Sequence, residues 1–346
     1  MVSSNKVAVY FVASPLQYLA ARQIAEHFEK GARQVLVWYQ PGVQQAVRED
    51  EWDACAYMPW PRHKPLPGPF GRHRRLRENI RMVAGLVGQC DELVLHSAVF
   101  DTEAINYFLH ALPKLSGART MHARILPDGL ISIRRYPLNA VKLVLQRLRK
   151  VRRLFASELN YRCFSGDRIG SDAAFCDRIY VMPGLPCEYP AAKVQPLPPL
   201  TSGRAPAASG DRPKRALVVG QPLAGAGLLT QEDSDAVTVQ IREWLAREGI
   251  EEVDYKAHPK DPKHEMRHPD YRLINPEGVL ESYLASVDYD VVIGVRSSAL
   301  LFARFIYQDR VRILSFAWNR VRFKSEKEKK DMDEVFRMCG VELIPA

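Results

Sequence analysis

The 346-residue chain has no run of eighteen apolar residues, so no membrane-spanning helix is expected. Its first residues, Met1 to Lys6, lead directly into the strand-like run Val7 to Val12. They lack the charged, apolar and small-residue order of a secretory signal, which points to a cytoplasmic protein. The six cysteines (Cys55, Cys90, Cys163, Cys176, Cys187 and Cys339) include no C-x-x-C pair. Reduced, mostly packed thiols are expected rather than disulfides. No cysteine or histidine pair has zinc-ligand spacing, so no metal is expected. The Asp288-Tyr289-Asp290 and Asp331-Met332-Asp333 triplets resemble metal-binding acid pairs. The first directly precedes a strand and the second lies mid-helix, so both are set aside. There is no DNA-binding motif, no aromatic platform interleaved with the basic stretches, and no internal repeat, so nucleic acid is not an expected partner.

What the chain does have is positive charge. It carries 49 Lys and Arg against 40 Asp and Glu, a net charge of +9. That excess serves solubility or an anionic partner: a nucleotide, an acidic glycan or an anionic lipid surface. The charge is unevenly spread. Over Pro137 to Phe155, Val141, Val144, Leu145, Leu148, Val151 and Phe155 fall on one helical face, and Lys142, Arg147, Arg149, Lys150, Arg152 and Arg153 crowd the rest. Such a helix either packs its apolar face into the core or lies on an anionic membrane or acidic acceptor. A second basic cluster, Arg72-His73-Arg74-Arg75 with Arg77, follows the proline-rich stretch Pro59 to Pro69.

Periodicity predicts an α/β chain. Strand-like Val7 to Val12 precedes Ser14-Pro15 and a helical pattern from Leu16 to Phe28. Strands are expected at Gln34 to Tyr39 and Leu93 to Leu95, and a helix at Asp101 to Leu112. The alternation restarts with strands at Arg215 to Gly220, Glu252 to Tyr255, Val291 to Val295 and Val311 to Phe316. Helices are expected at Ser234 to Glu248, Val279 to Val287, Ser298 to Tyr307 and Glu326 to Cys339. This is the pattern of parallel sheets covered by helices. Residues 191–213, with Pro196, Pro198, Pro199, Pro206 and Pro213 among Ser, Gly and Ala, read as a linker. The expected domains are 1–190 and 214–322. A closing segment, 323–346, carries a helix free to pack back on the first domain. Two such open sheets are expected to place ligands in a cleft outside their carboxyl strand ends.

Five places carry residues with chemical options. Tyr255-Lys256-Ala257-His258-Pro259 puts a histidine just past a strand and before a proline, where it can serve a leaving phosphate as proton donor or charged hydrogen bond. Ser297 and Ser298 open a helix after a buried strand, an arrangement that suits a phosphate and equally a plain N-cap. Glu281, near the start of a helix, is either a ribose-binding carboxylate or a surface acid. Gly220 and Gln221 end a strand, where they form either an ordinary turn or the wall of a nucleotide site. Asp128, in Pro127-Asp128-Gly129, is either a turn residue or a general base.

Taken together, these residues resemble the bacterial sialyltransferases of the GT-B fold, especially the capsule and lipooligosaccharide enzymes and the polysialyltransferase-like group. Those families share an acidic-acidic-Gly motif, a His-Pro motif and a paired hydroxyl motif, similar here to Pro127-Asp128-Gly129, His258-Pro259 and Ser297-Ser298. Ala13-Ser14-Pro15-Leu16-Gln17 is similar to their first loop. The first acid of the acidic motif is Pro127 here. The resemblance implies two Rossmann-like domains facing across a cleft and inverting transfer of sialic acid from CMP-sialic acid to a glycan hydroxyl. It implies Asp128 as general base and His258 as acid or charge stabiliser. Ser297 and Ser298 would hold the phosphate, Glu281 the ribose, and Gly220 with Gln221 would line the cytidine site. Ser14 and Gln17 would face the sugar. CMP-sialic acid would be substrate, with no cofactor; separately, the basic patches fit peripheral contact with an anionic inner-membrane face. Transfer of another CMP-activated acidic sugar (Kdo or a legionaminic-type acid), a GT-B-fold epimerase and a non-catalytic glycan- or nucleotide-binding module are the competing expectations.

Overall fold

The computed structural model describes residues 5–182, 187–198, 200, 212–258, 261–276, 280–284 and 286–346. The chain divides into two compact units, Met1–Pro183 with Cys187–Pro198, and Pro199–Ala346 with Gly184–Pro186.

The first unit is built on strands β1 (Lys6–Val12), β2 (Arg33–Trp38), β3 (Ala54–Tyr57), β4 (Glu92–Ser97), β5 (Thr120–Ile125), β6 (Cys176–Val181) and β7 (Val194–Pro196). They form one sheet in the order β3-β2-β1-β4-β5-β6-β7, and every pairing is parallel. Helices α1 (Pro15–His27), α2 (Gly71–Val87), α3 (Glu103–Asn106), α4 (Phe108–Ser116) and α5 (Ala140–Val151) connect them. Val7 to Val12 are buried without alternation, as a strand covered on both faces requires. The core joins Val9 and Phe11 to Leu76, Ile80 and Val83 of α2 and to Phe108 and Leu112 of α4. The sheet grows outward in both directions from β1, so β1 and β4 mark its switch point.

The second unit repeats the plan. Its strands are β8 (Arg215–Val219), β9 (Glu252–Lys256), β10 (Arg272–Ile274), β11 (Val291–Gly294), β12 (Arg312–Ser315) and β13 (Glu342–Leu343). All are parallel, in the order β10-β9-β8-β11-β12-β13, with the switch point between β8 and β11. Its helices are α6 (Gln231–Arg247), α7 (Leu280–Leu284), α8 (Ser298–Tyr307) and α9 (Glu326–Met338). Val218, Ile293 and Leu314 of the sheet pack with Val237, Ile241 and Trp244 of α6.

Two boundaries differ from the sequence expectation. The linker expected over 191–213 begins as sheet: Val194–Pro196 pairs with β6 as the edge strand β7, where Pro196 is tolerated because an edge can spare a donor. Residues 201–211 of that linker lie outside the described residues. Of the helix expected from Val279 to Val287, α7 spans Leu280–Leu284, Ser286 and Val287 are not helical, and Val279 and Ala285 lie outside the described residues. Helix α9 is fastened within its own unit. Trp318 Nε1 donates to Asp333 Oδ1 at 3.0 Å, and the Trp318 and Phe336 rings lie 4.8 Å apart. All six cysteines are free thiols, three of them buried. Among the described residues no helix is long and apolar enough to cross a membrane.

Candidate functional site

In the first unit, the chain leaves β1 at Val12 and enters α1 through Ser14, whose extended backbone (φ −144°) and hydroxyl cap the helix by accepting the Gln17 N–H at 3.2 Å. Pro15 at the first helical position supplies a fixed φ and gives up an amide that no helical carbonyl would have met. Gln17, expected with Ser14 on the sugar side, is 2% exposed. Its Oε1 accepts the Ala13 N–H at 2.7 Å, and its side chain hydrogen-bonds the Asp128 carboxyl. With Oε1 engaged by a donor, the amide NH2 is the group turned to Asp128.

Asp128 follows β5, in a turn where its own N–H donates to Ser132 Oγ at 2.5 Å and its carbonyl accepts the Ile131 N–H at 3.1 Å. Burial pushes its carboxyl above the ordinary value, and the Gln17 hydrogen bond restrains the rise. A raised carboxylate is a better base, provided it is still ionised at working pH. Tyr39 lies close enough for the Asp128 charge to add to the upward shift that burial gives its phenol. Its ring stacks on Trp60 at 4.6 Å. Neither aromatic was singled out from the sequence. Their signal, a tyrosine directly after a strand, is one that buried core positions share.

The second unit brings five of the expected residues to one end of one sheet. Gly220, His258 and Ser297 follow β8, β9 and β11, which are adjacent strands. The Gly220 N–H donates to the Lys256 carbonyl at 2.9 Å, fastening the end of β8 to the residue two before His258. Gln221, buried, accepts the N–H of Arg296 at 2.8 Å and of Val295 at 3.3 Å through Oε1. It thus ties β8 across the switch point to the turn before α8. Ser297 caps α8 by accepting the Ala299 N–H at 3.2 Å, and Ser298, exposed, begins the helix. A helix N-terminus with two hydroxyls at a sheet switch point is suited to a phosphate.

The glycine at 220 has a steric reason the sequence did not show. A Cβ there would meet Tyr255 Oη at 2.3 Å and Cζ at 2.7 Å. Arg296, next to this turn, is engaged within its own unit. Its guanidinium pairs with Glu328 of α9 at 2.6 Å and lies 4.8 Å from the Phe323 ring centroid. The half-buried His258 sits on a loop organised by two acids not anticipated from the sequence. The buried Asp261 donates its N–H to the His258 carbonyl at 2.9 Å and accepts the Glu265 N–H at 3.0 Å. Glu265 in turn accepts the N–H groups of Ala224 and Gly225 at 2.6 and 3.0 Å, joining the loops after β8 and β9. Pro259 lies outside the described residues, and of Glu281 only its place in α7 is described.

Three solved structures share this architecture over nearly the whole chain. The glycosyltransferase of kitacinnamycin superposes with a TM-score of 0.51 at 12% identity, covering 100% of this chain and 87% of that one. CalG4, the calicheamicin glycosyltransferase, gives 0.51 at 11%, covering 100% and 86%. Spinosyn rhamnosyltransferase SpnG, complexed with thymidine diphosphate, gives 0.50 at 15%, covering 98% and 86%. At such identities the likeness is one of fold, and the fold is GT-B. In sequence, the family model of alpha-2,8-polysialyltransferase (POLYST) matches residues 192–315, which contain Gly220, Gln221, His258, Glu281, Ser297 and Ser298. No curated protein matches the chain. Fold and family match together support a glycosyltransferase similar to the bacterial sialyltransferases of GT-B fold.

Proposed function

We propose that the chain is an inverting, metal-independent sialyltransferase that moves sialic acid from CMP-sialic acid to a glycan hydroxyl of a bacterial surface polysaccharide or lipooligosaccharide. The observation that carries this reading is the polysialyltransferase match over 192–315, the segment in which Gly220, Gln221, His258, Ser297 and Ser298 gather at one sheet end. The raised, hydrogen-bonded carboxyl of Asp128 supports a base in the other unit.

In this reading the second unit holds the donor. The α8 N-terminus, Ser297 and Ser298 take the CMP phosphate, and Gly220, Gln221 and Glu281 serve the nucleoside. The acceptor oxygen forms its bond to the anomeric carbon as the carbon–phosphate-oxygen bond breaks. The acceptor proton passes to Asp128, and the bond pair leaves with CMP, where His258 supplies a proton or a charged hydrogen bond. Negative charge on the phosphate is met by fixed dipoles and His258. The enzyme works beside an anionic membrane face, with Ser14 contributing to the sugar or acceptor side.

The test is incubation with a panel of CMP-sugars, with and without glycan acceptors, reading CMP release and the glycan product. CMP-sialic acid turning over with acceptor supports the reading. Turnover of a different CMP-sugar alone replaces the donor, and sugar conversion without acceptor indicates an epimerase. CMP binding without any turnover indicates a binding module. Each of these last three overturns the proposal.

A further inference from the structure

Helix α5 is built inside out. Val141, Val144, Leu148 and Val151 on the helix and Leu154 and Phe155 just beyond it are exposed, Leu148 by 61% and Phe155 by 88%. The side turned to the protein is polar. Gln146 is buried and accepts the Phe164 N–H at 2.9 Å, Lys142 pairs with Asp101 at 3.0 Å, and Arg149 and Arg152 face Glu103. An amphipathic helix ordinarily turns its apolar stripe to the core, and a contiguous exposed stripe marks an interaction surface.

Two further observations say what the surface meets. At the end of α5, Phe155 and Phe70, itself 77% exposed, line a cavity of about 450 Å³ together with His73, Arg74, Arg77 and Arg152. Burial pushes the His73 imidazole down, and the charges of Arg152 and Arg72 push it further. Around the stripe, Arg147, Lys150 and Arg153 make no ion pair among the described residues.

We propose that the outward face of α5 and this cavity form a docking surface for an anionic lipid bilayer. The apolar side chains enter the acyl boundary, and a lipid phosphate seats at Arg74; Arg77 and Arg152, which line the cavity beside it, are already paired with Glu158 at 2.5 Å and with Glu103. An apolar stripe rimmed by cations is the pattern of a helix lying in a membrane interface. A second copy of the chain would bring the same cations against themselves, so self-association is the weaker fit. The proposal gives a surface to the membrane contact in the functional reading and rests on that part of it alone, since it needs no assumption about the donor.

The test is co-sedimentation of the full chain with vesicles of phosphatidylcholine alone and of phosphatidylcholine mixed with phosphatidylglycerol. The wild type is expected to bind the mixed vesicles, release them in high salt and leave the neutral ones. Leu148→Glu/Phe155→Glu abolishes binding with unchanged circular dichroism, because both side chains are exposed. Arg74→Glu, in the cavity, weakens binding on the order of tenfold, and more than Arg147→Glu on the rim. Equal binding to both vesicle types, no binding, or equal effects of the two arginine variants overturns the proposal. So does a wild-type dimer that Leu148→Glu dissociates without changing vesicle binding. Vesicle binding is read without substrate, so failure of the sialyltransferase reading leaves this result intact and is recognised separately by the CMP-sugar panel.

Discussion

Replacing Gln17 by leucine isolates the one contact that tunes the proposed base. Leucine keeps roughly the volume of this buried side chain and removes its amide. In the native protein burial raises the Asp128 carboxyl, and the Gln17 hydrogen bond opposes that rise. A hydrogen bond to a charged group contributes about 1.5–3 kcal/mol. Its loss moves the Asp128 titration further upward. The base works only when ionised, so the variant loses rate at a higher pH than the wild type does. The assay is the pH profile of kcat/KM from CMP release, with its acid limb displaced upward in Gln17→Leu and the plateau reached at higher pH. The leucine also strands the Ala13 N–H, now bonded at 2.7 Å, so a lower melting temperature is expected alongside. A profile that drops evenly at all pH values, with its acid limb unmoved, would show that Gln17 only supports the fold or that Asp128 is not the titrating base.

Asp128→Ala and His258→Ala are each expected to lower turnover by about 10²–10⁴-fold with little loss of CMP affinity, read by steady-state kinetics beside calorimetry. Near wild-type transfer by both refutes their roles. Ser297→Ala/Ser298→Ala should weaken CMP binding more than it lowers turnover at saturating donor. Gly220→Ala drives a methyl into Tyr255 Oη at 2.3 Å and is expected to cost about 1–3 kcal/mol in denaturant unfolding; an unchanged midpoint would contradict that packing. Burial raises the Glu29 carboxyl, but the His96 ring at 3.6 Å and the charges of Arg124 and Lys6 outweigh it and hold it at about 2. A carboxyl held below its ordinary value stabilises the fold above that value and loses the contribution as pH falls toward 2. Glu29→Gln should flatten that part of the acid dependence of unfolding, read from the denaturant midpoint against pH.

The layout of the second unit was largely legible in the sequence because its strands are short apolar runs ending in turn and cap residues. Val291 to Gly294 followed by Ser297 and Ser298 reads as strand, turn and capped helix, and folds as β11, cap and α8. Two of the strands that escaped notice carry charge. Strand β5 contains His122 and Arg124, and β6 contains Asp177 and Arg178, so neither looks like a buried strand. Inside the fold Arg124 meets Asp177 at 3.0 Å and also Glu29, so the charge is paid by partners far away in sequence. Strands β10 and β13, of three and two residues, are too short to register a period. Helix α2 did carry a period, Leu76, Ile80, Val83 and Val87, beneath a run of arginines that reads first as a charged surface patch. Commitments between side chains were the part least visible: Gln17 serves Asp128, Arg296 serves α9, and Gly220 makes room for Tyr255.

Helix α5 shows why a correct pattern leaves orientation open. Periodicity separates an apolar face from a basic one but does not say which face the protein keeps. The decision comes from the acids opposite. Asp101 and Glu103 have side chains only 9% and 6% exposed, so each is a carboxylate largely withdrawn from water. Leaving such a charge unpaired costs several kcal/mol. Burying a leucine or valine returns about 1.5–3 kcal/mol each, so the exposed stripe keeps a comparable drive toward a partner surface. Lys142, Arg149 and Arg152 satisfy both carboxylates when the basic face turns inward, and the apolar stripe is then left outside. The exposed stripe thus follows from how the first unit resolves its own electrostatics. What remains on the surface is an apolar band beside Arg147, Lys150 and Arg153, which make no ion pair among the described residues, and the vesicle assay reads whether that combination meets a lipid surface.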